Sequence, residues 1–444
     1  MVIQFLKERL SSFKMIILGF LLLILVGALL LMCPVSVNGG NGASFEEALF
    51  TSTSAVCVTG LIIKDTAEYW SVFGQTVILI LMQIGGLGII SVAVFFAMIS
   101  GRKISLFQRS MLQDSISAPQ IGGIVKLTGF TIRIALVIEM IGVIFMLPDF
   151  CKRYGQKGIW MSVFHSVSAF CNAGFDINGD KTGLFSSLTY FADDPGIVIP
   201  VSLLIIIGGI GFLTWNDIAV NKLHFNRYHM QSKVVLVTTG VLIVIPMLLL
   251  FVCEYTTGPL KERILLSLFQ AVTPRTAGFN TADLANMSGT GHMLLISLMM
   301  IGGSPGSTAG GMKTTTLAVL LADALAVFQR KKDVQLFGRR IEESTVKIAA
   351  TLLVMYIMLP MIGAAIISMT DNIPVETCLF ETVSAIGTVG LSLGITAALS
   401  PLSHMILILL MFFGRVGGLT IVYAAVNTKK AEVSSRPVEK IIVG

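Results

Sequence analysis

The sequence predicts an all-α membrane protein built from four tandem helix–pore loop–helix units in a pseudo-fourfold arrangement around one pore. Three observations predict it. The 444-residue chain is 54% hydrophobic and only 13% charged, whereas soluble proteins carry about 25% charged residues. Several apolar runs reach the roughly 18 residues that a spanning helix needs. One pair of glycine-rich motifs then recurs four times in the same order.

The candidate spans are Met15–Met32, Val72–Ser100, Ile197–Trp215, Val234–Cys253, Ile348–Met369 and Pro401–Val426. Lys7, Arg9 and Lys14 precede the first run. That run exceeds a signal-peptide core and no A-x-A site closes it, so a retained helix is expected. Residues 1–14, 101–126, 220–233, 330–347 and 429–440 together hold 20 Lys and Arg, and the opposite loops hold seven. The positive-inside rule therefore expects both termini in the cytoplasm. The six cysteines show neither C-x-x-C nor a disulfide-like spacing, so no metal or disulfide is expected at them.

The first recurring motif is a small-residue turn ending in glycine: Ser54–Leu61, Ser168–Phe175, Thr273–Phe279 and Ser384–Leu391. The second lies in the apolar helix that follows: Gly85-Gly86-Leu87-Gly88, Gly208-Gly209-Ile210-Gly211, Gly302-Gly303 with Gly306, and Gly414-Arg415-Val416-Gly417-Gly418. The second cluster follows the turn glycine by 25, 34, 24 and 24 residues, the long interval coming from the polar insert Asp176–Pro195. Before each turn, Ser44–Ala55, Ile159–Phe170, Glu262–Ala271 and Val375–Ala385 are too short to span and fit half-helices dipping in from outside. Non-helical backbone at membrane depth survives only where it is buried or faces water. The expected organisation is an N-terminus (1–14), units over 15–100, 101–219, 220–328 and 329–426, and a tail (427–444).

Such turns suit a cation. Backbone carbonyls replace a hydration shell in a selectivity filter, and glycine lets the backbone aim them. The carbonyl ends of four half-helices aimed at one axis also favour positive charge. Val58-Thr59-Gly60 and Gly387-Thr388-Val389-Gly390 are similar to the Thr-Val-Gly core of potassium channels. The glycine pairs of the second helices fit close helix packing as well as function.

Taken with Gln270–Asn280 and Glu381–Leu391, these turns make the whole chain resemble the membrane subunit of bacterial Ktr potassium uptake systems, in the Trk/Ktr/HKT superfamily. The resemblance implies a K+ filter with its glycines at Gly60, Gly174, Gly278 and Gly390. The expected ligands are the carbonyls of Cys57, Val58, Thr59 and Gly60, of Cys171, Asn172, Ala173 and Gly174, of Arg275, Thr276, Ala277 and Gly278, and of Gly387, Thr388, Val389 and Gly390. Val56-Cys57 departs from the threonines expected there. The resemblance also implies an intramembrane gating loop over 302–312 (Gly302, Gly303, Ser304, Pro305, Gly306, Gly310 and Gly311), followed by the basic Lys313. Pro305 and five glycines within that stretch cannot form a regular helix. Arg415, an intramembrane charge, defaults to a functional role and resembles the family's basic residue near the pore axis; an ion pair with Glu381 or another half-helix acid is the structural alternative.

Glu47 and Glu381 sit on half-helices and could concentrate cations at the mouth, and Glu381 could equally brace its turn. Arg133 and Glu139 are expected as internal structural charges, and His165 as a satisfied core histidine. Gly302–Gly306 and Gly390–Gly394 match G-x-S-x-G, but no strand–turn–helix elbow accompanies them, so no enzyme is expected. The resemblance implies a plasma-membrane homodimer with one pore per protomer, a cytoplasmic KtrA/KtrC-type nucleotide-binding ring beneath it, and stimulation by Na+. A transporter of another monovalent cation such as Na+ is the rival reading. No organic cofactor and no nucleic-acid partner is expected.

Overall fold

The computed structural model describes residues 12–116, 122–179, 183–222, 224–418 and 420–421. Its helices are α1 (Ser12–Leu31), α2 (Phe45–Val56), α3 (Val72–Leu87), α4 (Ile89–Ile99), α5 (Leu106–Ile116), α6 (Ile124–Tyr154), α7 (Lys157–Phe170), α8 (Pro195–Ile210), α9 (Phe212–Asn221), α10 (Met230–Cys253), α11 (Leu260–Val272), α12 (Gly289–Met299), α13 (Thr314–Phe328), α14 (Glu343–Asp371), α15 (Val375–Gly387) and α16 (Pro401–Val416). Between α13 and α14 a two-residue hairpin pairs Gln335–Leu336 with Arg339–Arg340.

The long helices α1, α6, α10 and α14 are each long and apolar enough to cross a bilayer. Their outer faces stay open, as at Leu22, Leu29, Val241, Leu248, Val354 and Met361, which suits a lipid surround. The short helices α2, α7, α11 and α15 are the buried half-helices. Ser44 starts α2 with a capping box, its hydroxyl accepting from Glu47 N at 3.3 Å while Glu47 Oε2 accepts from Ser44 N at 3.0 Å. Burial, not helix propensity, then holds α2: residues from Phe50 to Val56 are all buried.

Two of the sequence-predicted spans need correction. Val72–Ser100 is α3 and α4 bent by 95°, and Ile197–Trp215 falls in α8 and α9, bent by the same angle. The bends fall at Gly88 (φ 86°) and Gly211 (φ 99°), and Gly417 (φ 90°) ends α16 in the same way. These are the last glycines of each Gly-x-x-Gly cluster. Side chains rarely adopt such a φ, so apolar periodicity continues through a point where the helix cannot.

The half-helices lie against neighbours in a closed order. Helix α3 packs on α7, α8 on α11, α12 on α15, and α16 returns to α2. Side chains mark these seams. Trp160 Nε1 donates to Gln75 Oε1 at 2.9 Å, and His404 Nδ1 lies 2.6 Å from Glu46 Oε1.

Candidate functional site

Each half-helix runs straight into its turn, and a hydroxyl at the head of the turn holds the two together. The Ser54 and Ser384 hydroxyls accept from Gly60 N and Gly390 N, both at 3.0 Å. The Ser168 and Thr273 hydroxyls instead donate to the Phe175 and Phe279 carbonyls, at 2.7 and 2.5 Å. The first and fourth units therefore use one bond and the second and third the opposite one. These four residues were not singled out as site residues, although each heads its repeat and so carried a legible signal.

Within each turn two residues lie at positive φ, one apart: Val58 and Gly60, Asn172 and Gly174, Thr276 and Gly278, Thr388 and Gly390. A chain alternating between left- and right-handed basins turns successive carbonyls to one side, unlike a strand. Val and Thr pay for that conformation, and such strain persists where the surroundings fix it. The four turns meet. A Cβ on Gly60 would strike the Ala173 carbonyl, on Gly174 that of Ala277, on Gly278 that of Val389, and on Gly390 that of Thr59. The glycines thus form a ring in which each accommodates the carbonyl of the next turn.

The ring can coordinate a cation. Thr59 Oγ1 and Thr388 Oγ1 are buried without a hydrogen-bond partner, and carbonyls crowd the same space. The C-terminal, partly negative ends of α2, α7, α11 and α15 all stop at these turns. Arg275 belongs to the third turn by its backbone alone. Its carbonyl accepts from Asn172 Nδ2 at 3.4 Å, and its buried guanidinium points away to Thr239 Oγ1, also at 3.4 Å. Asn172 also donates to Thr276 Oγ1 at 3.3 Å, tying the second turn to the third.

Above the ring lies a cavity of about 150 Å³, lined by Gly60, Gly174, Gly278, Gly390 and Asp176. Glu381 is fully buried beside it and accepts from Ser392 Oγ at 2.6 Å, Thr396 Oγ1 at 2.9 Å and Leu393 N at 3.0 Å. These contacts decide for a brace over a free cation attractor. Glu47 likewise has its charge engaged, by Lys64 Nζ at 3.2 Å and by the Tyr69 hydroxyl at 2.9 Å.

Below the ring, residues 300–313 interrupt the third unit between α12 and α13. Backbone bonds pin this loop to its surroundings: Ser304 N to the Gly209 carbonyl at 2.9 Å, Phe212 N to the Gly306 carbonyl at 2.6 Å, and Gly311 N to the Gly414 carbonyl at 3.3 Å. Its tip touches the ring, for Gly310 lies against the Thr388 side chain and Gly311 against the Gly387 carbonyl. Thr308 Oγ1 bonds the Phe170 carbonyl and Asn172 Oδ1 at 3.1 and 3.3 Å, a contact that sequence reasoning missed. Lys313 Nζ folds back onto the Ala309 and Gly310 carbonyls at 2.9 and 3.4 Å. A second cavity of about 340 Å³ lies beneath, lined by Gly88, Asp114, Pro305, Lys313 and Arg415.

Arg415 is buried among carbonyls. It donates to those of Thr308 and Gly85, and to Gly86 O at 3.0 Å. The alternative pairing with Glu381 is excluded, since that carboxylate is bound on the other side of the ring. The second-helix glycines are close-packing positions: a Cβ on Gly85, Gly208 or Gly414 would strike the Val56, Phe170 or Ile386 carbonyl. His165 is buried, with Nδ1 2.8 Å from the Met161 carbonyl and Nε2 3.2 Å from Asn178 Nδ2. Glu139 is buried on Gln83 Nε2 at 2.9 Å, whereas Arg133 corrects the sequence expectation because it lies exposed on the outer surface. The tail (427–444) lies outside the described residues.

A ring of carbonyl-bearing turns inside an apolar, multi-helix shell defines a membrane transport protein, not an enzyme. The family model TrkH, a cation transport protein, matches residues 12–435, and the chain belongs to that family. It is 39% identical to the potassium/sodium uptake protein NtpJ of Enterococcus hirae, covering 99% of this chain and 98% of that one. It is 37% identical to the Ktr system potassium uptake protein B of Bacillus subtilis, over 96% and 95% of the two chains. The potassium transporter TrkH of Vibrio parahaemolyticus shares the fold, with a TM-score of 0.77 at 18% identity over 95% of this chain and 86% of that one.

Proposed function

We propose that this chain takes up K+ through one pore running from the outer cavity, through the ring of Gly60, Gly174, Gly278 and Gly390, to the inner cavity. The closed contact order of the four units supports a pseudo-fourfold pore. The observation that carries the reading is the ring itself: four glycines, each against a carbonyl of the next turn, with two orphaned threonine hydroxyls. Carbonyl oxygens in such a ring replace the hydration shell of a monovalent cation. The loop 302–312 is the gate. It fills the path beneath the ring, and Arg415 latches it while opposing cation passage by its charge.

With no Walker motif in the chain, uptake is driven by membrane potential. The chain sits in the bacterial plasma membrane with both termini cytoplasmic, as a homodimer over a KtrA/KtrC-type ring. Arg330, Lys331, Lys332, Arg339 and Arg340 supply docking charge on that side, and Na+ stimulates uptake. Transport of Na+ itself is the second reading, favoured by the NtpJ relative's name.

Complementation of a strain lacking K+ uptake, with a regulatory partner supplied, tests the proposal. The native chain restores growth at low K+, and K+ outcompetes Na+. Gly60→Ser pushes a side chain into the Ala173 carbonyl and cuts K+ over Na+ discrimination by about tenfold or more, equivalent to about 1.4 kcal/mol. Equal competition by Na+ in the native chain would replace the K+ reading with the Na+ one.

A further inference from the structure

The outer surface carries a groove that the pore does not use. It lies between α4, the start of α5 and the start of α6, has a volume of about 910 Å³, and combines two chemistries. Phe95, Met98, Ile99 and Phe130 give it apolar walls, and Arg109, Lys126 and Arg133 line it with three positive charges and no acidic residue. All three basic residues are exposed. Among the described residues none has a side-chain hydrogen bond or ion pair.

The groove follows from the fold. The 95° bend at Gly88 lays α4 across the direction of α3, so an apolar helix runs along the cytoplasmic side of the shell. Arg133 sits nine residues into α6, about 13 Å along the helix at 1.5 Å per residue. The 31-residue α6 is about 46 Å long, about 16 Å more than a hydrocarbon core of about 30 Å. Centred in the bilayer, it places the Arg133 backbone about 5 Å inside the apolar boundary. An unpaired guanidinium there is costly unless it reaches up to an anion. The surplus of basic residues in cytoplasmic loops does not account for a charge within the span.

We infer that this groove binds an anionic glycerophospholipid of the cytoplasmic leaflet. Its phosphate sits among Arg109, Lys126 and Arg133, and its acyl chains lie along α4 and α6. Basic pockets between helices on the cytoplasmic face suit such headgroups, and the apolar walls distinguish a lipid from a free phosphate ion.

The full chain, purified in neutral detergent, is titrated with dioleoylphosphatidylglycerol, dioleoylphosphatidylcholine or inorganic phosphate. Bound lipid is read by native mass spectrometry. The native chain retains phosphatidylglycerol over phosphatidylcholine, and rising salt weakens that retention. Each charge removed weakens it by about fivefold, so Arg109→Gln/Arg133→Gln loses about 25-fold while Arg133→Lys holds it. The salt series on the native chain decides the matter should the double variant fail to fold. Equal retention of the two lipids, displacement by inorganic phosphate, or unchanged affinity in a folded double variant would overturn the assignment. So would a double variant that loses self-association while its lipid binding is unchanged, since the groove would then be a contact between copies.

Discussion

Two serines show how a single hydroxyl serves the ring. Ser54 and Ser384 accept from Gly60 N and Gly390 N. Alanine at either position leaves a buried N–H unpaired, at a cost of about 1–3 kcal/mol. Ser54→Ala and Ser384→Ala should therefore lower the midpoint of thermal unfolding in detergent and reduce K+ over Na+ discrimination together. Ser168 donates to a carbonyl instead. A carbonyl left unpaired in the ring can still turn to the cation, so Ser168→Ala should cost less discrimination than either of the other two. Equal losses at all three serines would count against these opposite roles.

Arg415 acts at the same scale, through three carbonyls from two elements. Its replacement by alanine removes both the hydrogen bond to the Thr308 carbonyl, the proposed latch, and a positive charge beneath the ring. Arg415→Ala should raise ion flux in liposomes several-fold while leaving K+ over Na+ selectivity near native, because the ring lies above it. Unchanged flux in a folded variant contradicts the latch.

At the scale of elements, the bends and the loop do different work. Gly88 and Gly211 hold φ values that side chains rarely adopt, and they turn two predicted spans into bent pairs. Gly211→Ala should destabilise by about 1–3 kcal/mol, seen as a lower unfolding midpoint, since its Cβ would also press on the Pro305 carbonyl of the loop. Deleting 302–312 removes the proposed gate together with its backbone bonds to Gly209, Phe212 and Gly414. It should give high, poorly regulated flux with selectivity retained, measured as K+ and Na+ efflux from the same liposomes.

The half-helices were legible to within about two residues, because each ends in a glycine turn and starts after a break in the apolar run, at Ser44, Gln156, Pro259 or Pro374. The bends were not, since apolar residues continue on both sides of Gly88 and the membrane imposes the same composition on a straight or a bent span. Glu381 was legible in two roles, cation attractor or brace, and the sequence could not choose between them. Its partners Ser392, Leu393 and Thr396 follow the turn, and only folding of the turn brings them to the carboxylate.

For the whole molecule, the proposed pore would follow the membrane potential. About 100 mV supplies about 2.3 kcal/mol per charge, enough for roughly fifty-fold K+ accumulation. Liposomes holding the chain under that potential should approach this ratio and lose the gradient when the potential is collapsed. Accumulation that survives collapse would require another coupled ion.

The sequence by itself determined the membrane setting, the four-fold recurrence and the turns that carry the ring, because composition and periodicity record burial and backbone freedom locally. Only the tertiary structure decided which turn faces which, that Arg415 binds carbonyls and not Glu381, and that Thr308 joins the loop to the second turn. Those choices depend on contacts between residues more than 100 positions apart, whose geometry is set by the closed packing of all four units.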